Sequence, residues 1–468
     1  MRSVTCRRRV GAGLTLLSLV LAGCAGRVSP LSTADRSAAE PTYDVIVVGA
    51  GLAGLTTGQS LVRAEYSVLV LEASGRIGGR AITDATTFPV PVDLGAAWIH
   101  GANTNPLTSL VDWLGFTRVP TSLDGEVFIG SHRLTAEEAE EFGHDYERTE
   151  AAMAESPDVA ASEFLPERPD FRALIAANIG PLESGAEIDR TSSADAAAFE
   201  ADPDDFVREG IGTLVARIGR DLPVQLNSPV TAISYGGELD RGVLVATRSG
   251  QRYRGRRVVI TVSTGVLSAG GITFRPELPA WKLQAIRELP MGLLNKVVFE
   301  FDGDVLAGEG ANEWVLYQQP DPPADVAPEV MAFVIKPLGA NLAIGFYGAE
   351  QARRFESLGD AAAIEYAMAA LVQMYGTDVA AQIKDETTRV TRWGQNPWTL
   401  GSYSAALPGA SATHETMAEP VDDLVFFAGE ASGPPEYNGS LAAAYVSGLQ
   451  ASRAVQSSLA KARATPAH

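Results

Sequence analysis

The chain has 468 residues, 46% of them apolar, and a formal net charge of −20. The apolar share excludes a disordered chain. The excess of acid excludes a nucleic-acid binder and a protein held on an anionic bilayer by charge; it favours cationic partners by steering, or serves solubility alone.

The first 23 residues read as an address. Arg2, Arg7, Arg8 and Arg9 precede an apolar run, 10–22, too short to span a bilayer comfortably. The run ends in Leu21-Ala22-Gly23-Cys24, similar to a bacterial lipoprotein cleavage box. Cleavage before Cys24 would leave a lipidated cysteine, so an exported protein is expected, lipid-anchored to a bacterial membrane on its periplasmic or extracellular face. The arginines also loosely resemble a twin-arginine signal; a retained signal anchor is the alternative. Residues 24–41 read as a tether. Cys6 and Cys24 are the only cysteines, so no disulfide framework is expected, and His100, His132, His144, His414 and His468 are too scattered for a metal cluster.

Asp44 to Val48 predicts a strand buried on both faces. Gly49, Gly51 and Gly54 then form GxGxxG where a helix begins. The first glycine makes the turn, the second admits a pyrophosphate to the backbone, and the third lets helix and strand pack closely. The helix N-terminus supplies free N–H groups and partial positive charge. Val68 to Leu71 predicts a second strand ending at Glu72, whose carboxylate suits a ribose. These spacings together point to a dinucleotide. Gly75-Arg76-Ile77-Gly78-Gly79-Arg80 follows at once and resembles the second phosphate motif of FAD enzymes in the amine oxidase superfamily. That resemblance implies contacts to FAD from Arg76, Gly79 and Arg80; the alternative is a turn with two solvated arginines.

Between Asp124 and Glu209 there are 23 Asp or Glu against six arginines and no lysine, which predicts an exposed acidic layer with helices at Ala136 to Ala154 and Pro169 to Asn178. Phe206 to Arg220 predicts a helix, Val224 to Ile233 a strand, and Arg257 to Val262 a buried strand. Strands are expected at Lys296 to Phe301, Met331 to Ile335, Leu342 to Tyr347 and Leu424 to Ala428, with helices at Ala361 to Tyr375 and about Ser440 to Leu459.

Four separated stretches resemble the flavin-containing amine and polyamine oxidases. Asp93-Leu-Gly-Ala-Ala-Trp98-Ile-His100-Gly101 is close to the polyamine oxidase form. It implies that the backbone of Ala97, Trp98 and Ile99 lies along the flavin and that His100 faces the substrate amine. Leu289 to Phe301 implies that Lys296 hydrogen-bonds a water at flavin N5. Tyr403 matches the first aromatic wall beside the substrate; Ser402 stands where mitochondrial monoamine oxidases carry the flavin-linked cysteine, so FAD is expected to be non-covalent. Gly429 and Glu430 match contacts to the phosphate and ribityl part, and Ser440 and Leu441, opening the last helix, meet the flavin O2 edge; Tyr445 matches the second wall. Val230 matches the backbone contact to adenine.

The expected fold is α/β. A Rossmann-like FAD-binding domain is assembled from 42–120, 205–272 and 394–462. A substrate domain of mixed sheet plus helices comes from 121–204 and 273–393. The implied reaction oxidises the C–N bond of an amine, favouring a polyamine, with hydrolysis of the imine and reduction of O2 to H2O2. A monoamine oxidase, and a dehydrogenase that passes electrons to a quinone or cytochrome, are the alternatives; an amino acid oxidase or a non-catalytic binding protein is further off.

Overall fold

A strand with apolar side chains on both faces needs cover above and below. Thr42–Val48 has it: Val45, Ile46 and Val47 are fully buried. The computed structural model describes residues 42–199, 203–239, 242–306, 308–323 and 326–464, all within one compact unit, Glu40–His468. The leader, Cys24 and the tether lie outside the described residues.

Thr42–Val48 runs parallel to Val68–Leu71 on one side and to Arg252–Ile260 on the other. Val224–Gln225 extends the sheet past Val68–Leu71. On the far side it turns antiparallel through Val243–Thr247 to Val230–Tyr235, with Thr273–Arg275 at the edge. Val425–Phe427 joins the C-terminal half of Arg252–Ile260 in parallel.

Two helices, Leu52–Arg63 and Leu441–Ala464, share one apolar core on this sheet. A Cβ on Gly448 would stand 2.6 Å from the Ala53 carbonyl oxygen, so only glycine permits this approach. Thr57 Oγ1 donates to the Gly448 carbonyl at 3.1 Å, and the hydroxyls of Ser60 and Ser452 are 2.8 Å apart. This register makes the helices parallel, with both N-termini pointing the same way. Counting back from the Ser60–Ser452 contact at 1.5 Å per residue, the last helix begins roughly 4.5 Å ahead of the first.

The second sheet is mixed. Its order is Arg389–Val390, Leu294–Glu300, Leu342–Gly348, Val330–Ile335, Glu313–Gln318, Arg118–Ile129, Asp204–Val207 and Trp98–Ile99. Glu313–Gln318 and Arg118–Ile129 pair in parallel, and the other pairs on this path are antiparallel. The acidic layer covers it with Ala136–Ala154 and Pro169–Ala177, the latter burying Leu174 and Ile175 completely. Thr135 and Glu138 close a reciprocal capping box on the longer helix.

Several expectations change. The helix expected from Phe206 begins at Ile211; Asp204–Val207 is instead a fully buried strand between Arg118–Ile129 and Trp98–Ile99. Burial on both faces overrides the helical pattern there, and Gly210, at φ +88°, makes the turn into the helix. A boundary between 204 and 205 therefore falls inside a strand. Trp98–Ile99 sits in the second sheet and Thr273–Arg275 in the first, across the lines drawn from sequence. The single strand expected over 224–233 is two, interrupted at Asn227, which has φ +52°. Pro169–Ala177 does not end at Asn178 but widens into a π-helix, Asn178–Ser184, around Pro181, which has no N–H to give the α-helical ladder.

Candidate active site

The two sheets meet along a trough that begins at the glycine turn. Glu72 Oε2 accepts the Ala50 N–H at 2.7 Å, and Oε1 accepts the N–H and hydroxyl of Ser74, each at 2.8 Å. The acid thus shapes the turn as well as marking the end of its strand. Ser228 N–H donates to the Glu72 carbonyl at 2.7 Å, which brings Val230 to the same corner.

Arg76 is bonded within its own loop. Its guanidinium donates to the carbonyls of Ile77 at 3.1 Å, Ala81 at 3.3 Å and Gly79 at 2.5 Å. It is a brace of its own loop rather than a free cation, and burial lowers its pKa. Arg80 reaches instead to Glu430 at 2.6 Å and to the Ser402 carbonyl at 3.1 Å. Burial pushes the Glu430 carboxyl up, but Arg80 and the bonds from Ser404 outweigh it and hold the group below the usual range.

The residue before Glu430 is Gly429, whose N–H donates to Ser447 Oγ at 3.0 Å. Ser440 Oγ accepts the Ala443 N–H at 3.4 Å, leaving the Leu441 end of the last helix pointed into the trough. A Cβ on Gly54 would stand 2.0 Å from the Gly49 carbonyl oxygen, so helix and strand fit closely there. A Cβ on Gly51 or Gly429 meets nothing within 4 Å. These two backbones front open space, and a dinucleotide with a flavin at one end fits along it.

Lys296 lies on Leu294–Glu300, opposite Phe346, and is buried. Its Nζ donates to the carbonyls of Asp93 and Gly95, each at 2.7 Å. It therefore clasps the segment leading to Ala97, Trp98 and Ile99. Burial pulls it down to about 8, with Asp93 opposing. Asp93 is pushed up to about 6 by burial, against the N–H of Ile211 and the Thr83 hydroxyl. Two bonds use both hydrogens of a neutral amine, so a third donor, for a water, exists only while Lys296 is charged. Trp98 Nε1 is buried with no partner among the described residues, beside this lysine.

His100 Nδ1 pairs with Asp204 Oδ2 at 2.8 Å, which fixes the ring and leaves Nε2 as its other polar atom. Phe199 and Trp98 flank it at 5.2 and 5.9 Å. Tyr403 pairs with Gly292 and donates its hydroxyl to the Leu182 carbonyl at 3.2 Å; burial and Glu183 raise its pKa, so the phenol stays neutral. A Cβ on Gly439 would lie 3.6 Å from the Tyr403 ring, so Tyr403 stands at the start of the helix whose first turns carry Tyr445. Trp98 links two of the expected residues, its ring lying 5.8 Å from Lys296 Nζ and 5.9 Å from the His100 ring. Ser402 is engaged elsewhere, its hydroxyl accepting the Leu294 N–H at 2.9 Å.

One residue went unread in the sequence. Glu183 sits on the π-helix next to Leu182, and Tyr146 OH and Asn178 Nδ2 donate to its Oε1 at 3.1 and 3.3 Å. Its side chain is exposed, with dense protein around it. Burial, then Glu150, push it up to about 7. Glycines let the π-helix in: a Cβ on Gly348 would meet the Pro181 carbonyl oxygen at 1.8 Å, and one on Gly292 that of Ser184 at 2.3 Å.

Residues 190–456 match the family model described as flavin containing amine oxidoreductase, and 47–114 match that of an NAD(P)-binding Rossmann-like domain. A polyamine oxidase of Oryza sativa subsp. japonica is 30% identical, over 90% of this chain and 90% of its own length. A probable polyamine oxidase of Arabidopsis thaliana is also 30% identical, over 88% and 86%. The structure of wild-type putrescine oxidase bound to putrescine superposes with a TM-score of 0.74 at 20% identity, over 89% of this chain and 99% of that one, which shows a shared fold.

Lys296→Met keeps the side chain's length and removes the donors. FAD should still bind, while flavin reoxidation by O2 slows by about tenfold or more, roughly 1.4 kcal/mol. Stopped-flow traces of both half-reactions check this; traces equal to wild type would make Lys296 a packing residue only.

Proposed function

Because the chain belongs to the flavin-containing amine oxidase family, and is an FAD-dependent amine oxidoreductase, we propose that its substrate is a polyamine of the spermine or spermidine type, oxidised at a C–N bond with O2 as acceptor. FAD, when bound, supplies the acceptor for two electrons from the carbon beside nitrogen and their return to O2 as H2O2.

The chain's own residues do the rest. Tyr403 and Tyr445 offer π faces to an arriving cation. The reacting nitrogen must be neutral for its lone pair to assist, and water hydrolyses the imine that results. Lys296 and the carbonyls it clasps hold the backbone at Trp98 in register with the flavin's edge. The N-terminus at Leu441 favours negative charge at the flavin's far edge.

Glu183 is the observation that carries the polyamine reading. It is an accessible carboxylate, one residue from the carbonyl that holds Tyr403. A distal ammonium seated there leaves another amine over the flavin. Its nearest charges, Glu150 and Asp204, have the same sign. The relatives named as polyamine oxidases over most of their length support the same substrate class.

Glu183→Gln should raise KM for spermidine by about tenfold, roughly 1.4 kcal/mol, and leave benzylamine unchanged. The carboxyl is charged only above about 7, so spermidine KM should fall as pH rises through that value, and the variant should lose the dependence. The acidic layer adds a longer-range pull, screened over about 8 Å at physiological ionic strength; spermidine kcat/KM should fall with salt more than that of a monoamine. Benzylamine turned over best, with no salt effect, would overturn the polyamine reading. Fast dye reduction with slow O2 turnover would replace the oxidase by a dehydrogenase.

We propose that FAD is held without a covalent bond, since Ser402 offers no thiol. Acid precipitation should leave all yellow colour in the supernatant; colour retained by the pellet refutes it.

We also propose export and lipid anchoring through Cys24. Labelled palmitate should enter the wild type and not Cys24→Ser; equal labelling of both would sink the anchor.

A further inference from the structure

Away from the substrate opening lies a buried polar node that the reaction does not use. His414, on the short helix Thr413–Ala418, is buried. Its Nδ1 lies 3.0 Å from the Ala431 carbonyl oxygen and its Nε2 lies 3.0 Å from Asp195 Oδ1. A carbonyl and a carboxylate only accept, so both ring nitrogens must donate and the ring is an imidazolium. Asp195 binds three further partners across the chain. Its Oδ1 also accepts from Asn438 Nδ2, its Oδ2 accepts the Ala406 N–H at 3.2 Å, and its own N–H is capped by Ser192 Oγ at 3.0 Å.

Each of these contacts ends on a segment that shapes the flavin end of the trough. Ala431 belongs to the turn Glu430–Ser432, whose Glu430 carries Arg80 and Ser404. Ala406 follows the strand of Tyr403. Asn438 leads through Gly439, at φ +70°, and the cap Ser440 into the last helix. Asn438 Oδ1 is buried without a partner among the described residues, so the Asp195 contact is what orients that amide.

We propose that the Asp195–His414 ion pair is a positioning device for the bound flavin: it fixes the Glu430 turn and the Asn438–Leu441 turn against the acidic layer, and flavin retention depends on its charge. This rests on family membership and FAD binding, not on the polyamine reading.

The surrounding charges agree. Asp195 faces His414 from the helix Ser193–Ala198 and Glu430 faces it from its turn. Glu288 reaches its helix through Thr413 Oγ1, and Lys282 through the carbonyls of Thr416 and Met417; Glu415 is the next residue. Burial pulls the imidazole down, but Asp195, the Ala431 carbonyl and Glu430 outweigh it and raise it above its ordinary value. A raised histidine stabilises fully below the unfolded value of about 6.5, and that contribution is lost as pH climbs through the folded value.

The test is the rate of flavin release from the holoenzyme, followed by the fluorescence of freed flavin from about pH 6 to about pH 9, with thermal unfolding in parallel. Wild type should release flavin about tenfold faster at the upper end. Asp195→Asn keeps the shape and removes the charge; it should release rapidly at low pH, with a flattened profile. His414→Gln should match wild type at high pH and also be flat. Lys296 and Asp93 titrate in the same range, so the diagnostic part is what His414→Gln removes. Should that variant not fold, Asn438→Ala leaves the ion pair intact and should still speed release. Profiles in the Asn and Gln variants parallel to wild type, or a flat wild-type profile, would overturn the proposal. Loss of spermidine turnover with unchanged flavin release would bear on the substrate reading and count against this one.

Discussion

The ion pair between Arg80 and Glu430 holds together residues 350 positions apart. Both side chains are largely withdrawn from water, and removing one partner of such a pair costs about 3–5 kcal/mol because the other is stranded. Its neighbours make the pairing sound: Ser404 gives Glu430 its N–H and its hydroxyl, and Arg80 also caps the Ser402 carbonyl. Three passes of the chain are thereby set side by side: the loop after the second strand, the strand that bears Tyr403, and the turn before the last helix. A cleft made from segments so distant in sequence has a defined shape only if such links hold it.

The acidic layer is more than a solvated skin. Asp204 orients His100, Asp205 pairs with Arg118, Glu183 accepts from Tyr146 beside the carbonyl that holds Tyr403, and Asp195 meets the Ala406 N–H and His414. In each case a short carboxylate is satisfied by donors on another segment, so the layer's folding and the site's geometry are one process. Seven of its other acids lie on Ala136–Ala154, where Asp145 alone of them is buried.

Much of this was legible in the sequence, for reasons that differ from place to place. The glycine turn, Glu72 and the strands around them are local: a few adjacent residues carry both pattern and purpose. Lys296, Tyr403 and Tyr445 were singled out through family resemblance, which spacing alone could not have done. The three carbonyls that Arg76 meets in its own loop were not legible, because a cation near a phosphate motif suggests an anion. Glu183 was invisible because its meaning depends on a π-helix and on a tyrosine 221 residues downstream of Leu182. Phe206 and Val207 were taken into a helix because sheet neighbours from 98 and 118 cannot be seen in their own neighbourhood.

The parallel packing of Leu52–Arg63 and Leu441–Ala464 carries one more consequence. Their N-termini point the same way, staggered by roughly 4.5 Å, and each ends in about half a positive charge. In the apoprotein two like-signed ends look into one low-dielectric channel with water alone to screen them. An anionic, electron-rich molecule of matching length relieves both at once. The cofactor is therefore a keystone as well as a reagent: the protein gains stability as its site fills.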